Sequence, residues 1–214
     1  MIQNFERKNL TRAAIGISIL LAAAAAIIYL LNALNTANIS VYSQNSLHEQ
    51  QESFENYIKI NTDKLSSILN AISDNDKYKK LFLEKNKEKL YLSAIDFFEK
   101  IKKENKITHW YFIEPDGTCF LRVHNKDIYG DKIDRISFNK ARKTNKTAFG
   151  LEAGKTAFAL RVVSPYYYNN KLIGYVELGQ EIDETLNHIK KGTDNNYVML
   201  IDKKYLNKKD CSII

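Results

Sequence analysis

Cysteine is scarce in this sequence, and neither copy stands where metal or redox chemistry needs it. Cys119 and Cys211 are the only cysteines in 214 residues, and no CxxC, CxxCH or zinc-spaced histidine pair occurs. The usual zinc sites and covalently attached haem are therefore excluded. A disulfide between the two cysteines stays open in an oxidising compartment, although a strand cysteine is more often a small apolar side chain. We expect no metal and no cofactor.

Catalytic and nucleic-acid-binding signatures are also absent. The sequence has no GxSxG nucleophile elbow and no glycine-rich phosphate loop. No Asp or Glu is spaced from His109 or His124 as in a known catalytic motif. The net charge of +7 comes mostly from lysines scattered among acids, whereas a nucleic-acid surface needs clustered basic residues interleaved with stacking aromatics. We therefore expect neither an enzyme nor a nucleic-acid-binding protein.

Charge is missing from one stretch near the N-terminus. Residues 13–31 read AAIGISILLAAAAAIIYLL without a charged residue, which is close to the length of helix that crosses the hydrocarbon core. Basic residues precede this run and residues 32–47 carry no charge, so the positive-inside rule puts the N-terminus in the cytoplasm and the rest outside. A cleaved signal peptide is the alternative, but leucines stand where a cleavage site has small residues.

The part beyond this run begins with helical patterns. Apolar side chains recur at steps of seven, four and three over residues 47–72, which predicts one narrow face of a long stalk helix that continues out of the membrane. The sequence Ser73-Asp-Asn-Asp ends this helix, and a second helix is predicted over residues 78–103. The stripe consists of Leu47, Phe54, Ile58, Asn61, Leu65, Ile68 and Ile72.

At Ile107 the period changes from helical to strand-like. Residues 107–124 predict a β-hairpin with its turn at Pro115-Asp116-Gly117. A short helix over residues 136–143 follows, and Asp183 is expected to cap a final helix through Lys190. A long helix followed by an antiparallel sheet of about five strands with small helices is an α+β fold. Further strands are predicted over residues 147–152, 156–163, 171–178 and 197–201, with a polar turn at Asn169-Asn170.

These patterns divide the chain into five regions. We expect a cytoplasmic N-terminus, a transmembrane helix, a helical region with the stalk and the second helix, a sheet domain and a C-terminal tail. They cover residues 1–12, 13–33, 34–103, 104–202 and 203–214.

Arg122 and Arg161 stand in the middle of apolar strands, in a chain with only six arginines against 26 lysines. A guanidinium in such a place needs an anion. An internal carboxylate, Glu152 or Glu177, would serve, and so would the carboxylate or phosphate of a bound ligand. The residues leave both readings open. Aromatic side chains on or near these strands that could wall a ligand pocket are Trp110, Tyr111, Phe149 and Tyr175.

Strand alternation assigns the neighbours of these arginines to faces. In the second strand, one face is predicted to carry Phe120, Arg122 and His124, and the other Cys119, Leu121 and Val123. In the fourth strand, one face is predicted to carry Ala157, Ala159, Arg161 and Val163.

Four segments resemble the extracytoplasmic Cache sensor domains of bacterial chemoreceptors and sensor kinases, in particular the double-Cache domains of two-component sensors. The resemblance implies a PAS-like sheet packed on the long helix, a homodimer along that helix, and a small metabolite, often a carboxylate, bound over the sheet. The segments are ITHWYFIEPDGTCFLRVHN, YGDKIDRISFNKA, GLEAGKTAFALRVVSPYY and KLIGYVELGQEID, at residues 107–125, 129–141, 150–167 and 171–183.

Carried onto this chain, the resemblance implies an anionic metabolite bound by a sensory module for chemotaxis or two-component signalling. The module would be anchored by a single span in the bacterial inner membrane, with its sensor domain outside the cytoplasm. No second apolar span and no kinase, cyclase or methyl-accepting segment occurs in the 214 residues, so we expect a truncated receptor or a module that signals through a partner. The expected ligand-binding residues are Trp110, Tyr111, Arg122, His124 and Arg161, together with Tyr175 from the aromatic pattern.

Two other functions stay open. The chain would be a structural or interaction module if its arginines only pair with Glu152 or Glu177. It would be a haem or redox sensor if His124 or His109 served as an axial ligand.

Overall fold

The computed structural model describes residues 2–154, 158–192 and 200–202. The chain divides into two compact units, Met1–Ser53 and Phe54–Ile214. Helix α1 (Ile2–Ser73) provides the described part of the first unit and begins the second. From Ile15 onward α1 is long and apolar enough to cross a membrane, judged by length and composition alone. The predicted long N-terminal apolar helix is confirmed, and the bounds of the five predicted regions stay a prediction.

Four shorter helices follow α1 in the described part of the second unit, and they differ from the prediction in two respects. Asp183, expected to cap the final helix, lies in its first turn, because that helix begins at Ile182. The helix predicted over residues 78–103 is two helices, because each of two asparagines begins a new one. The side chain of Asn75 accepts hydrogen bonds from two N–H groups of the following turn, and that of Asn86 accepts one from Lys89 N–H at 3.1 Å. The helices are α2 (Asp76–Leu83), α3 (Lys87–Asn105), α4 (Ile136–Thr144) and α5 (Ile182–Gly192).

The described strands form one five-stranded sheet, which confirms the α+β prediction. They are β1 (His109–Ile113), β2 (Cys119–Arg122), β3 (Ala148–Ala153), β4 (Phe158–Tyr168) and β5 (Lys171–Glu181). All pairings are antiparallel, in the order β2-β1-β5-β4-β3. β4 and β5 join across Asn169 and Asn170, whose φ angles of 48° and 59° suit a two-residue hairpin turn. Of the strand predicted over residues 197–201, residues 197–199 lie outside the described residues, and residues 200 and 201 are not in a strand.

One face of the sheet, which carries Trp110, Phe112 and Leu178 and is called the helix face, packs against α1, α2 and α3. The apolar cluster there includes Leu65 and Leu69 of α1, both fully buried. Burying one such side chain contributes about 1.5–3 kcal/mol. Part of the predicted stripe of α1 therefore belongs to the core of this domain.

The opposite face, which carries Tyr111, Arg122, Arg161 and Glu177, is called the polar face. Its apolar part is a smaller cluster against α4, centred on the ring of Phe138. Phe138 meets Tyr175 edge-on, with the ring centroids 5.2 Å apart. The charged side chains named above lie next to this cluster rather than in the larger core.

A β-bulge in β2 changes the faces that alternation predicted. Phe112 pairs with Leu121 and Ile113 pairs with Cys119, so Phe120 has no partner opposite it. The extra residue shifts the register, and Phe120 packs with the helix-face cluster while Cys119 joins the cluster at α4. The prediction that Phe120 shares a face with Arg122 is wrong. The prediction that Cys119 lies on the face opposite to Arg122 is also wrong. Ala159, Arg161 and Val163 do share a face, and Ala157 lies outside the described residues.

The substitution Gly174→Ala should destabilise the domain, because Gly174 lets α2 approach the sheet closely. A Cβ there would collide with the carbonyl oxygen of Ile113 and lie 2.9 Å from Cε1 of Phe82. We expect a loss of about 1–3 kcal/mol, measured by urea unfolding of the full chain in detergent. Gly150→Ala is the matched control, since a Cβ there meets nothing within 4 Å. Equal stability of the two variants would contradict this account.

Candidate functional site

Three arginines surround Tyr111, which lies at the middle of β1 on the polar face. The guanidinium carbons of Arg135, Arg122 and Arg161 lie 5.0, 5.2 and 5.9 Å from the centroid of its ring. At these distances each cation is attracted by the ring quadrupole, and more strongly when water is excluded. Tyr111 is buried, so its ring holds three cations in a largely dry place.

Glu177 of β5 lies opposite Tyr111 in the strand register and is fully buried. Its Oε1 accepts hydrogen bonds from Arg135 Nη2 at 2.6 Å and from Arg161 Nη1 at 2.8 Å. Burial alone would raise the pKa of the Glu177 carboxyl, but the charges and hydrogen bonds of the two arginines outweigh burial and lower the pKa. Glu177 is therefore an ionised carboxylate held between two guanidiniums.

Glu152 of β3 is bonded to the start of α4. It accepts hydrogen bonds from the backbone N–H of Ser137 at 3.1 Å and from the Ser137 hydroxyl. A carboxylate at this position satisfies a free N–H of the first turn and is favoured by the helix dipole. Arg135 Nε lies 3.9 Å from Glu152 Oε1, which is near enough for an ion pair but too far for a hydrogen bond.

Arg122 of β2 is engaged by the loop that follows its strand. Its Nη1 and Nη2 donate to the two carboxylate oxygens of Asp131 at 2.8 and 2.9 Å, and Nη1 also donates to the Ile128 carbonyl at 2.7 Å. A bidentate pair of this kind is among the strongest contacts that arginine makes. Arg122 thus fastens residues 128–131 to the sheet. The arginine network consists of Arg122, Arg135, Arg161, Asp131, Glu152 and Glu177.

Two histidines lie beside Tyr111 on the polar face. The ring of His109 is parallel to that of Tyr111, with centroids 6.1 Å apart, and its centroid lies 4.7 Å from that of His124. Burial, together with the charges of neighbouring arginines, lowers the pKa of His109 to about 2 and that of His124 to about 4. Both imidazoles are therefore neutral near pH 7.

A gap lies on the polar face at Gly150 of β3. Gly150 pairs with Arg161 in the strand register, and a Cβ built on it would have no atom within 4 Å. Its neighbours on the same face of β3, Ala148 and Glu152, are only 2% and 7% exposed. Gly150 itself is half-buried, and β3 is the edge strand of the sheet, so the open space lies at the edge of the polar face, across from Arg161.

Two donors of the arginine network have no acceptor. Within the described part of the chain, the buried Nε atoms of Arg161 and Arg135 make no hydrogen bond. Arg161 is 1% exposed, so water does not freely compensate for the missing bond. A buried donor left unpaired costs about 1–3 kcal/mol. The network therefore has donors to offer to a molecule that supplies oxygen acceptors.

Five of the six predicted site residues come together on the polar face, namely Tyr111, Arg122, His124, Arg161 and Tyr175. Trp110 does not join them, because adjacent strand residues point to opposite faces. It is fully buried on the helix face, with its ring edge-on to Tyr78 at 5.8 Å. Phe149 also lies off the polar face and is 55% exposed. Placing Trp110 and Phe149 in one pocket with Tyr111 is wrong.

The sequence left open whether Arg122 and Arg161 meet internal carboxylates or a ligand, and two residues of the network were missed. Glu177 pairs with Arg161 as the sequence allowed, but Arg122 takes Asp131 instead of Glu152 or Glu177. Arg135 was overlooked although it is one of only six arginines, because alternation says nothing about a residue between elements. Asp131 lies in a loop for which no periodicity holds either.

The described residues include no group of three or more His, Cys, Asp or Glu side chains placed to hold a metal ion. Cys119 is buried, and burial raises the pKa of its thiol to about 12, which makes a poor nucleophile. Cys211 lies outside the described residues, so its pairing with Cys119 stays open.

Comparison with solved structures supports the fold. The E. coli DcuS sensor domain has a TM-score of 0.53 and 21% identity, over 62% of this chain and 97% of that one. The sensor domain of the V. cholerae histidine kinase DctB has a TM-score of 0.55 and 16% identity, over 71% and 59%. A domain of a putative sensory box/GGDEF family protein from Vibrio parahaemolyticus has a TM-score of 0.52 and 18% identity, over 69% and 63%. This chain thus spans less than two thirds of the last two.

Comparison with protein families gives the more specific result. No curated protein matches the chain. A family model described as the double sensory domain of two-component sensor kinases matches residues 40–211, which is most of the chain. This chain therefore belongs to the dCache_3 family of double sensory domains from two-component sensor kinases.

Proposed function

We propose that this chain is the membrane-anchored, extracytoplasmic sensing part of a bacterial receptor, and that it binds a small molecule carrying a carboxylate at the polar face. The receptor would serve two-component signalling or chemotaxis. Membership of a sensory family supports the general role. The ligand class rests on the chemistry of the polar face.

The observation that carries the proposal is the pair of unpaired guanidinium donors, one of which belongs to Arg161, across from the gap. Arg161 Nε and Arg135 Nε are buried without an acceptor, and the open space at Gly150 lies directly across from Arg161. A carboxylate supplies two acceptor oxygens with several lone pairs, so it suits guanidinium donors of this kind. Binding would satisfy donors that are otherwise buried without a partner.

The proposed anchoring and orientation are supported by α1. Its apolar part is long enough to cross a membrane, and the basic residues before residue 13 favour a cytoplasmic N-terminus and an outer sensing domain in a single-pass arrangement. A homodimer through α1 is part of the proposal. Because Leu65 and Ile72 of the predicted stripe are buried in the domain's own core, the dimer contact would use other residues, such as Ile60, which is 66% exposed.

A second candidate is an interaction module without a ligand. It is favoured by the internal pairing of both strand arginines, Arg122 with Asp131 and Arg161 with Glu177. In that case the arginine network only joins β2, β3, β4, β5 and α4. The two candidates differ in whether any small carboxylate binds, which the first experiment below decides.

Filling the gap should abolish ligand binding. In Gly150→Leu the new side chain would occupy the space beside Arg161, and we expect the affinity for the ligand to fall at least about tenfold, or ~1.4 kcal/mol. A thermal-shift screen of carboxylates with two to six carbons on the full chain in detergent would find a ligand, and calorimetry would compare the variants. Phe149→Leu is the matched control, one residue away on the other face, and should bind as the native chain does. The sensing proposal fails if no acid binds at millimolar concentration, or if Gly150→Leu binds normally.

The neutral histidines predict a loss of stability in mild acid. Their folded pKa values lie below the value of 6.5 for an ordinary histidine, so below that pH the unfolded chain binds protons that the folded chain does not. The free energy of unfolding should fall as the pH drops from 7 to 5, by up to about 1.4 kcal/mol per pH unit for each histidine.

Urea unfolding of the full chain across this pH range measures the effect. His109→Phe keeps an aromatic ring beside Tyr111 and should remove about half of the pH dependence, since one of two buried histidines is gone. His48→Gln, at an exposed position, is the control and should keep all of it. The same slope in His109→Phe and the native chain would show that His109 is not held neutral.

A further inference from the structure

Helix α1 changes character along the part that lies in the second unit. Its buried residues from Leu65 onward, which include Leu69 and Ile72, are apolar and belong to the cluster of the helix face. One turn earlier the buried residues are polar, since Asn61 and Thr62 are only 3% and 6% exposed. Apolar burial therefore fixes α1 to the sheet from Leu65 onward, and the segment before it is held by other contacts.

The polar segment of α1, residues 57–64, is in contact with α5. The ring of His188 stacks on that of Tyr57, with the centroids 4.4 Å apart and the planes at 29°. Burial raises the pKa of Tyr57 and lowers that of Lys64, and the negative charge of Glu184 acts on both groups. His188 is exposed, while Tyr57 and Lys64 are half-buried. Ring and charge contacts at such positions are individually weak, so α5 is held less firmly on α1 than α1 is held on the sheet.

Two buried polar atoms at this contact lack a partner. Within the described part of the chain, Thr62 Oγ1 and Gln180 Oε1 make no hydrogen bond. Gln180 is on the helix face, two residues after Leu178, and Thr62 lies on α1 between Tyr57, which touches α5, and Leu65. Both side chains therefore lie where α1 passes the end of β5. A buried polar group without a partner has lost its hydration with no compensation, so opening this contact would return water to both.

We propose that α5 is a latch, which docks on residues 57–64 of α1 and releases from them while α1 stays fixed to the sheet from Leu65 onward. The ring stack and the buried isoleucines of α5 favour the closed state. Hydration of the two unpaired side chains favours the open state. An equilibrium between two states responds to any change that stabilises one of them more than the other. Because α5 follows β5 directly and β5 carries Glu177, a shift of β5 at the polar face would reach α1 through this latch.

Hydrogen exchange of the full chain in detergent, read out by mass spectrometry of its peptides, tests the latch. We expect the amides of α5 to exchange at least about tenfold faster than those of β5, since they open without unfolding of the domain. The double variant Thr62→Val/Gln180→Met keeps the size of both side chains and removes both unpaired atoms. It should slow exchange in α5 by about tenfold or more, because the closed state no longer buries them. Thr144→Val, the same type of change at an exposed position of α4, is the control and should leave α5 unchanged.

Tyr57→Ala tests the latch from the other side and does not alter the sequence of α5. Loss of the ring stack should speed exchange in α5 by about threefold or more. Equal protection of α5 and β5 in the native chain would overturn the latch, because α5 would then open only with the whole domain. Unchanged exchange of α5 in the double variant, or in Tyr57→Ala if the double variant does not fold, would overturn it too. The proposed sensing function does not depend on these outcomes.

Discussion

The buried carboxylate of Glu177 is the contact on which the polar side of this domain depends. It lies on the central strand β5, is inaccessible to water, and is bonded by guanidiniums from two different parts of the chain. Arg161 comes from the neighbouring strand β4, and Arg135 from the residue before α4. Removing one member of such a set leaves an uncompensated buried charge, which costs about 3–5 kcal/mol. The position of α4 over the sheet is therefore tied to the ionisation of a single glutamate.

The two faces of the sheet differ in what they contribute to the domain. The helix face is covered by three helices and holds the larger apolar cluster, with Trp110 and Phe112 at its centre. That face supplies most of the hydrophobic stabilisation. The polar face has only a small apolar cluster at α4, and beside it the arginines, carboxylates and neutral histidines. A buried ionic network adds little net stability compared with apolar packing, which agrees with the proposed role of the polar face in ligand binding.

Tyr111 shows how the two faces meet. Its neighbours Trp110 and Phe112 belong to the helix face, while its own ring holds three cations on the other. Because β1 is packed from behind, the ring has little freedom to move away from the arginines. A rigid aromatic surrounded by charged groups that are already oriented suits a binding site, since less conformational entropy is lost when a ligand arrives.

The amino-acid sequence by itself determined the apolar N-terminal helix, the end of the stalk helix at residue 73, the hairpin at Pro115-Asp116-Gly117 and the five strands. These features depend on local periodicity, capping and turn residues, which are readable along the chain. It also marked Arg122 and Arg161 as unusual, because arginine is rare here and both lie within apolar strands. The shared face of Ala159, Arg161 and Val163 in β4 followed from the same period of two.

Only the tertiary structure decided which groups pair across the sheet. The bulge at Phe120 broke the alternation in β2, and no local sequence pattern predicted the extra residue. Arg135 and Asp131 lie in connections without periodicity, so their contacts with Glu177 and Arg122 depend on how distant segments meet. The gap at Gly150 and the two unpaired guanidinium nitrogens are likewise properties of packing. Periodicity reports on neighbours along the chain, whereas a binding site is made by residues that are distant in sequence and adjacent in space.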